Sequence, residues 1–225
     1  MEEEILSLVN VCVDKGKFSL KDISFKIEKG YLMGIIGKNG AGKTTLLNTI
    51  IGKNEKYTGK ILYKKKDIRE NYKKFMQECA YISEETVFLK EDTILNNVRL
   101  LSVFNEKFDE DNFVNMLTDN GISEDKFIDR LSRGEFIKLQ LCLARAMGKK
   151  LYLMDEVTAG MDPVYRKEFY KELKVMQQEG CTIIMTTHIV SDLNRNMDYI
   201  VELENGKIES IRENDEYKNC DICGA

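Results

Sequence analysis

The sequence of 225 residues has no tryptophan, one proline (Pro163) and one histidine (His188). A single proline excludes proline-rich linkers and recognition arms. A single histidine excludes the histidine clusters that hold transition metals. No apolar run approaches the roughly 18 residues of a membrane-spanning helix. The start, Met1-Glu-Glu-Glu, has no secretory-leader character. The chain is therefore expected in the cytosol, and a membrane role requires a separate partner. Basic residues are not in excess: 34 Lys and Arg stand against 38 Asp and Glu, a formal net charge of -4. No electropositive surface is offered to nucleic acid. Internal repeats and low-complexity segments are absent as well.

Six cysteines occur at positions 12, 79, 142, 181, 220 and 223. The first four sit among apolar residues and read as reduced, buried thiols. Cys220 and Cys223 form a CxxC with no second pair or histidine nearby, which reads as a tail with two thiols. The remaining composition, 43% hydrophobic and 32% charged, is that of a globular domain with a sizeable core.

The most specific segment reads GKNGAGKTT, residues 37–45. It follows an apolar run, Tyr31 to Ile36, and precedes a helix-like stretch, Thr45 to Ile51. This is a complete phosphate-binding loop in the strand-to-helix setting that its chemistry requires. Gly37, Gly40 and Gly42 let the backbone, with Asn39 and Ala41, curl its N–H groups toward an anion. The helix beginning near Lys43 adds unpaired N–H groups and the positive end of its dipole. Lys43 would bridge the β- and γ-phosphates, Thr44 would ligate Mg²⁺, and Thr45 would bond the α-phosphate.

Other segments carry chemistry once joined to that loop. LYLMDE, residues 151–156, is an apolar strand ending in two carboxylates at the edge where α/β sheets bind ligands. Asp155 would hold Mg²⁺ through water, and Glu156 would polarise an attacking water. His188 ends the apolar strand CTIIMTT, and an adjacent parallel strand would bring it to the same crevice. Ser132 and Glu135 of LSRGE form a capping box, S-x-x-E, at the start of a helix. That helix N-terminus also reads as a second anion site, for a phosphate that the chain's own loop does not hold.

Around these motifs, strands marked by Phe18, Leu20, Ile23, Phe25 and Ile27 lead to a turn at Lys29-Gly30. A strand Lys60 to Tyr63 follows, then Lys64-Lys65-Lys66, read as a solvated loop. From Glu91 to Asp129 the period turns helical and interrupts the alternation. A helix Glu135 to Met147, a strand Leu151 to Met154, a helix Val164 to Gln178 and a strand Thr182 to Thr186 resume it. Tyr199 to Leu203 and Lys207 to Ile211 form a hairpin on an Asn205-Gly206 turn. The pattern implies a mostly parallel sheet with an antiparallel part near the N-terminus.

The order GKNGAGKTT, LSRGE, LYLMDE, AGMDP and TTH resembles the ATPase subunit of an ABC transporter over nearly the whole chain. No guanine-reading NKxD is present. The resemblance implies an α/β P-loop NTPase fold: a RecA-like core, mostly parallel, with an antiparallel β-subdomain and an inserted α-helical subdomain. A single ATPase domain over 1–212 is expected, with the helical subdomain at about 85–133 and a tail at 213–225. ATP and Mg²⁺ are the implied ligands. Gly37 to Thr45 matches the Walker A loop, Asp155 the Walker B acid, Glu156 the catalytic base, Asp162 the D-loop acid and His188 the switch histidine. Ser132, Arg133, Gly134 and Glu135 match the signature segment, which contacts the γ-phosphate held by the opposite subunit. The implied assembly is a homodimer around two ATP, docked on an integral membrane permease at the cytoplasmic face of the membrane.

Three departures from the family pattern stand out. The signature is usually LSGGQ, but Arg133 and Glu135 stand here; Arg133 is expected to offset the repulsion between Glu135 and a phosphate. The Q-loop glutamine is replaced by Glu84, a carboxylate able to hold Mg²⁺. Lys15 occupies the place of the adenine-stacking aromatic, with Phe18 as substitute. Glu84 and LSRG resemble small bacterial exporters of drugs, antibiotics or amphipathic toxin peptides. Val87-Phe88-Leu89 is a candidate permease dock or a piece of core. The alternatives are a soluble ABC-type ATPase without a membrane partner and a non-hydrolysing regulator, the latter disfavoured by Glu156 and His188.

Overall fold

The computed structural model describes residues 3–214 apart from 86, 104, 106, 107, 190–192 and 194; Cys220 and Cys223 lie outside the described residues. Two sheets result from period-2 burial along the strands. In the first, β1 (Glu4–Asp14), β2 (Ser19–Glu28), β4 (Thr58–Tyr63) and β5 (Lys66–Asp67) run antiparallel in the order β2-β1-β4-β5. Leu20 and Ile23 both face the core although three residues apart, because the β1–β2 register shifts there. Asp22 and Asn10, at φ 53° and 50°, take up the irregularity and bond to each other side chain to side chain at 2.6 Å. Lys64 and Lys65, also at positive φ, make the turn between β4 and β5, and Lys64 pairs with Glu78. The basic triplet is thus a hairpin tip with a neutralised member.

The second sheet has the order β10-β9-β3-β8-β7-β6, built from β3 (Leu32–Ile36), β6 (Cys79–Ile82), β7 (Leu151–Asp155), β8 (Thr182–Thr187), β9 (Tyr199–Glu204) and β10 (Lys207–Glu213). All its pairings are parallel except β9 with β10. Its central strands β3, β8 and β7 are buried on both faces, as parallel strands covered on both sides must be, while the edge strand β10 is largely exposed. Met33, Ile35, Leu151, Leu153 and Ile184 join the antiparallel sheet and α1 (Lys43–Ile50) in one core. Leu32, Tyr152, Met154, Ile183 and Met185 pack on the opposite face with α5 (Arg133–Ala146) and α6 (Pro163–Gln178). This is the α/β P-loop NTPase architecture expected from the motif order.

Between β6 and β7 the chain leaves the sheet for α3 (Ile94–Ser102), α4 (Glu110–Asp119) and α5. Ile94, Val98, Phe113 and Leu117 form their own cluster with Leu139, Cys142, Leu143 and Ala146 of α5. Ile137, Leu141 and Ala144 on another face of α5 belong to the sheet's core. One helix therefore carries two apolar stripes and fastens the helical insert to the sheet. Within Val87-Phe88-Leu89 the two readings divide. Phe88 is buried and meets Phe136 edge-on at 5.8 Å, whereas Val87 and Leu89 are exposed.

Among the elements that gave no sequence pattern are α2 (Tyr72–Glu78) and the four-residue β6. Phe75 is the only buried residue of α2, so no apolar stripe marks it. Among the described cysteines, Cys79, Cys142 and Cys181 are buried, while Cys12 is only half-buried, and all four are free. Burial pushes the Cys79 and Cys142 thiols up to about 12, which keeps them protonated and unreactive.

The closing hairpin does more than end the sheet. Asn205 and Gly206 have φ 49° and 78°, the pair of left-handed residues of a type I′ turn. Gly206 N–H donates to the Ala41 carbonyl at 3.0 Å, and the Gly206 carbonyl accepts from Lys21 N–H at 2.8 Å. A Cβ at Gly206 would overlap the Ser19 carbonyl oxygen. Gly206→Ala should therefore cost about 2–5 kcal/mol, joining a left-handed penalty of ~1–2 to an overpacking penalty of ~1–3. In thermal unfolding the Tm should fall by about 4–20 °C; a change of less than about 2 °C would contradict the close approach.

Candidate functional site

The parallel order places the C-terminal ends of β3, β8 and β7 side by side, and the segments leaving them meet in one cleft. From β3 comes the loop 37–42. Gly40 and Gly42 are at φ 84° and 110°, which an L side chain rarely adopts. Gly37 serves differently from expectation: its φ is not positive, and a Cβ there would overlap the Leu203 carbonyl oxygen. Ala41 is buried, and its N–H donates to the Lys38 carbonyl at 3.0 Å, closing the loop. α1 starts at Lys43 with Gly42 as N-cap and no side-chain cap, which leaves its leading N–H groups for an anion. Asn39, Gly40, Gly42, Lys43, Thr44 and Thr45 line a cavity of about 420 Å³ together with Lys15, Phe18 and Glu156. Lys15 and Phe18 thus both border the loop, and the Phe18 ring lies directly under Gly42.

From β7 come the two acids. Asp155 sits opposite Thr186 of β8. The buried Thr186 hydroxyl donates to Asp155 Oδ1 at 2.6 Å and accepts from Glu156 N–H at 3.0 Å. Tyr81 OH donates to Asp155 Oδ2 at 3.3 Å. Burial, and then the Asp155 charge, push the Tyr81 phenol far above its ordinary value, so it stays a donor. Glu156 is at φ 49°, a conformation that costs a non-glycine residue about 1–2 kcal/mol. The bend turns its carboxylate away from Asp155 toward the loop. There it pairs with the buried Lys43, Nζ to Oε1 3.2 Å, and lies 4.0 Å from His188 Nδ1. Lys43 Nζ also donates to the Gly37 carbonyl at 2.8 Å.

A second cavity, of about 190 Å³, adjoins the first and is lined by Thr44, Tyr81, Ser83, Glu84, Glu85, Arg133, Asp155 and Glu156. Arg133 Nε is 2.6 Å from Glu84 Oε1, and its Nη2 donates to the Glu156 carbonyl at 3.3 Å. Arg133 and Glu135, expected to offset each other beside a phosphate, have separate partners here. Glu135 Oε2 accepts from Ser132 N–H at 2.8 Å, Ser132 Oγ accepts from Glu135 N–H at 3.3 Å, and Lys126 takes Glu135 Oε1 at 2.8 Å. Both halves of the capping box are thus formed, and the partner of Glu135 is Lys126. Gly134 rests against the Tyr165 ring, where a Cβ would lie 2.9 Å from Cε1. Asp162 caps α6, accepting from Val164 N–H at 2.8 Å, with Pro163 in the first turn.

The structure therefore gathers Asn39, Gly40, Gly42, Lys43, Thr44, Thr45, Asp155, Glu156, His188, Glu84 and Arg133 around one cleft. Ser132, Gly134, Glu135 and Asp162 do not line it. Thr186, Tyr81 and the Glu85 partner Lys53 (2.6 Å) were missed by sequence reading. A threonine at the C-terminal end of the run CTIIMTT, buried along its whole length, was the available signal for Thr186.

The ABC transporter family model matches residues 20–159, more than half of the chain. The chain is 32% identical to the spermidine/putrescine import ATP-binding protein PotA of Mycoplasma mycoides subsp. mycoides SC, over 97% of this chain and 64% of that protein. It is 31% identical to the methionine import ATP-binding protein MetN of Clostridioides difficile, over 94% of this chain and 70% of that one. Its fold is similar to a structure described as the ATP binding subunit of an ABC transporter, with TM-score 0.83, 25% identity, and 98% and 95% of the two chains covered. It is also similar to cbiO1 from Clostridium perfringens, described as part of the ABC transporter complex cbiONQ, with TM-score 0.81, 27% identity, and 97% and 92% covered. This chain belongs to the ABC transporter ATP-binding family. It spans about 64% of the length of PotA. Among the described residues no helix is long and apolar enough to cross a membrane.

The capping box gives a test independent of nucleotide. Burial alone would raise the Glu135 pKa, but the Lys126 and Ser132 bonds outweigh it and hold the carboxyl below its ordinary 4.5. A depressed pKa stabilises the fold above the ordinary value, and the contribution fades as pH falls through the lower folded value. Glu135→Ala should cost about 1 kcal/mol at neutral pH. Denaturant unfolding should show the gap to wild type closing well below pH 4.5; a gap independent of pH would contradict the charged cap.

Proposed function

We propose that this chain binds Mg²⁺–ATP in the cleft between the loop 37–45 and the acids 155–156, and hydrolyses it to drive transport through a separate membrane subunit. The observation that carries the reading is the meeting of Lys43, Glu156 and His188 beside an uncapped helix start. The residues suit the ligands. The open N–H groups of α1 and Lys43 accept polyphosphate, and a bound Mg²⁺ would be held by the Thr44 hydroxyl and Asp155, withdrawing charge from the phosphates. Glu84 lines the same cavity, but its carboxylate is already held by Arg133 at 2.6 Å, so Asp155 is the acid left for that ion.

Glu156 is the base in this reading. While Lys43 holds its carboxylate at 3.2 Å, Glu156 is not free to face a water. A triphosphate gives Lys43 a stronger anionic partner, and the carboxylate is released toward a water. The backbone of Glu156 is held on both sides, N–H by Thr186 and carbonyl by Arg133, so the side chain changes partner on a fixed hinge. His188 stands within reach of the same carboxylate and orients it.

Two copies enclosing two ATP molecules head to tail, on the cytoplasmic face of a membrane and docked on a permease, complete the proposal. The exposed Val87 and Leu89 are part of the dock. Export, with drugs, antibiotics or amphipathic peptides as cargo, is its finest part and rests on the resemblance carried by Glu84 and LSRG. The relatives named as import ATP-binding proteins give it no support. Transport assayed in inside-out vesicles, with the membrane subunit co-expressed, decides the direction.

Glu156→Gln should lower ATP turnover at least about 100-fold, the scale of a lost general base, while Mg²⁺–ATP binding is retained. Lys43→Ala should abolish binding. Unchanged turnover in Glu156→Gln, in a magnesium-dependent phosphate-release assay, would remove Glu156 from the mechanism.

A further inference from the structure

Four carboxylates, Glu84, Glu85, Asp155 and Glu156, line the smaller cavity, where a triphosphate would add more negative charge. Three of them have a cation of their own. Glu84 pairs with Arg133 at 2.6 Å, Glu85 with Lys53 at 2.6 Å, and Glu156 with Lys43 at 3.2 Å. Asp155 is met only by the hydroxyls of Tyr81 and Thr186, and among the described residues no lysine or arginine pairs with it. Asp155 is thereby left as the acid with charge to spend on a cation.

Two of the three family departures turn out to touch. Where the family pattern has a neutral glutamine and a glycine, this chain has Glu84 and Arg133, joined as an ion pair. The guanidinium reaches three segments at once. Nε faces Glu84, Nη2 the Glu156 carbonyl, and Nη1 lies beside Gly160, 3.2 Å from where a Cβ would stand. A planar fork with several donors allows this, and a point charge would not. From the same segment, Ser132 and Glu135 are turned onto their own helix, so only Arg133 is directed into the chain's own cleft.

We propose that Arg133 serves the nucleotide site of its own chain as a positioning residue. It neutralises Glu84, so that a glutamate beside the triphosphate behaves electrically like a neutral amide. The inference rests on the ATP-binding reading above. The pair is partly exposed, with side-chain exposures of 38% and 61% for Arg133 and Glu84, so its influence is screened by salt.

The test is Mg²⁺–ATP binding to the full chain, read with a ribose-labelled fluorescent ATP at protein concentrations where light scattering shows monomer. Arg133→Gln leaves Glu84 bare and should weaken binding by roughly three- to tenfold in low salt, with the loss shrinking at high salt. Glu84→Gln should tighten binding or leave it unchanged. The double variant restores the net charge of the cleft and should return to within about twofold of wild type. A double variant as weak as Arg133→Gln alone would overturn the inference, because Arg133 would then act by direct phosphate contact or by holding the fold. So would unchanged monomer affinity in Arg133→Gln with loss confined to ATP-dependent dimerisation, which places the arginine across the interface. Weaker binding in Glu84→Gln overturns it even if Arg133→Gln does not fold. Wild type failing to bind Mg²⁺–ATP sinks the function itself, whereas normal wild-type binding without rescue sinks only this role for Arg133.

Discussion

One buried hydroxyl organises the acidic side of the cleft. The Thr186 hydroxyl donates to Asp155 and accepts from the Glu156 N–H, both through one oxygen that carries a proton and lone pairs. It is delivered by strand register, since parallel pairing of β7 with β8 sets Asp155 across from Thr186. Two adjacent carboxylates would otherwise repel and share one fate. The hydroxyl and the left-handed turn at Glu156 separate them, leaving one with the Tyr81 and Thr186 hydroxyls and sending the other toward Lys43 and His188. The strain at Glu156 persists because its peptide groups are held at both ends.

The helical insert meets this centre through a single helix. α5 spends one apolar stripe on the insert and another on the sheet, so its first turn can hardly shift without disturbing both clusters. That rigidity is what makes a side chain at its first position useful. Arg133 projects from a helix start fixed by a complete capping box and bridges to the Q-loop position. Gln140, farther along the same helix, donates to the Ser83 carbonyl at 2.9 Å and gives that bridge a neutral companion.

What could be read from the sequence was local. The phosphate loop, the Asn205-Gly206 turn and the Ser132–Glu135 box are each defined by residues a few positions apart, and each is found where its pattern lies. The parallel core was legible because strands buried on both faces leave unbroken apolar runs. α2 was not, since one buried phenylalanine makes no stripe. Nor was the β1–β2 bulge, which breaks the alternation that a strand pattern relies on. Arg133 was matched to Glu135, its neighbour in sequence, yet residues two apart on a helix point to different sides. Its actual partner lies before the whole insert. Gly37 was read as a conformational glycine, whereas its need is room beside another strand's carbonyl.

The bond from Gly206 to Ala41 joins the first motif of the chain to its last hairpin. Contacts between such distant positions form late, because the loop they close is long. A ribosome making this protein releases the phosphate loop well before the hairpin. The loop gains its anchor only when residue 206 has emerged, so a partly made chain has the nucleotide-binding sequence without its finished shape.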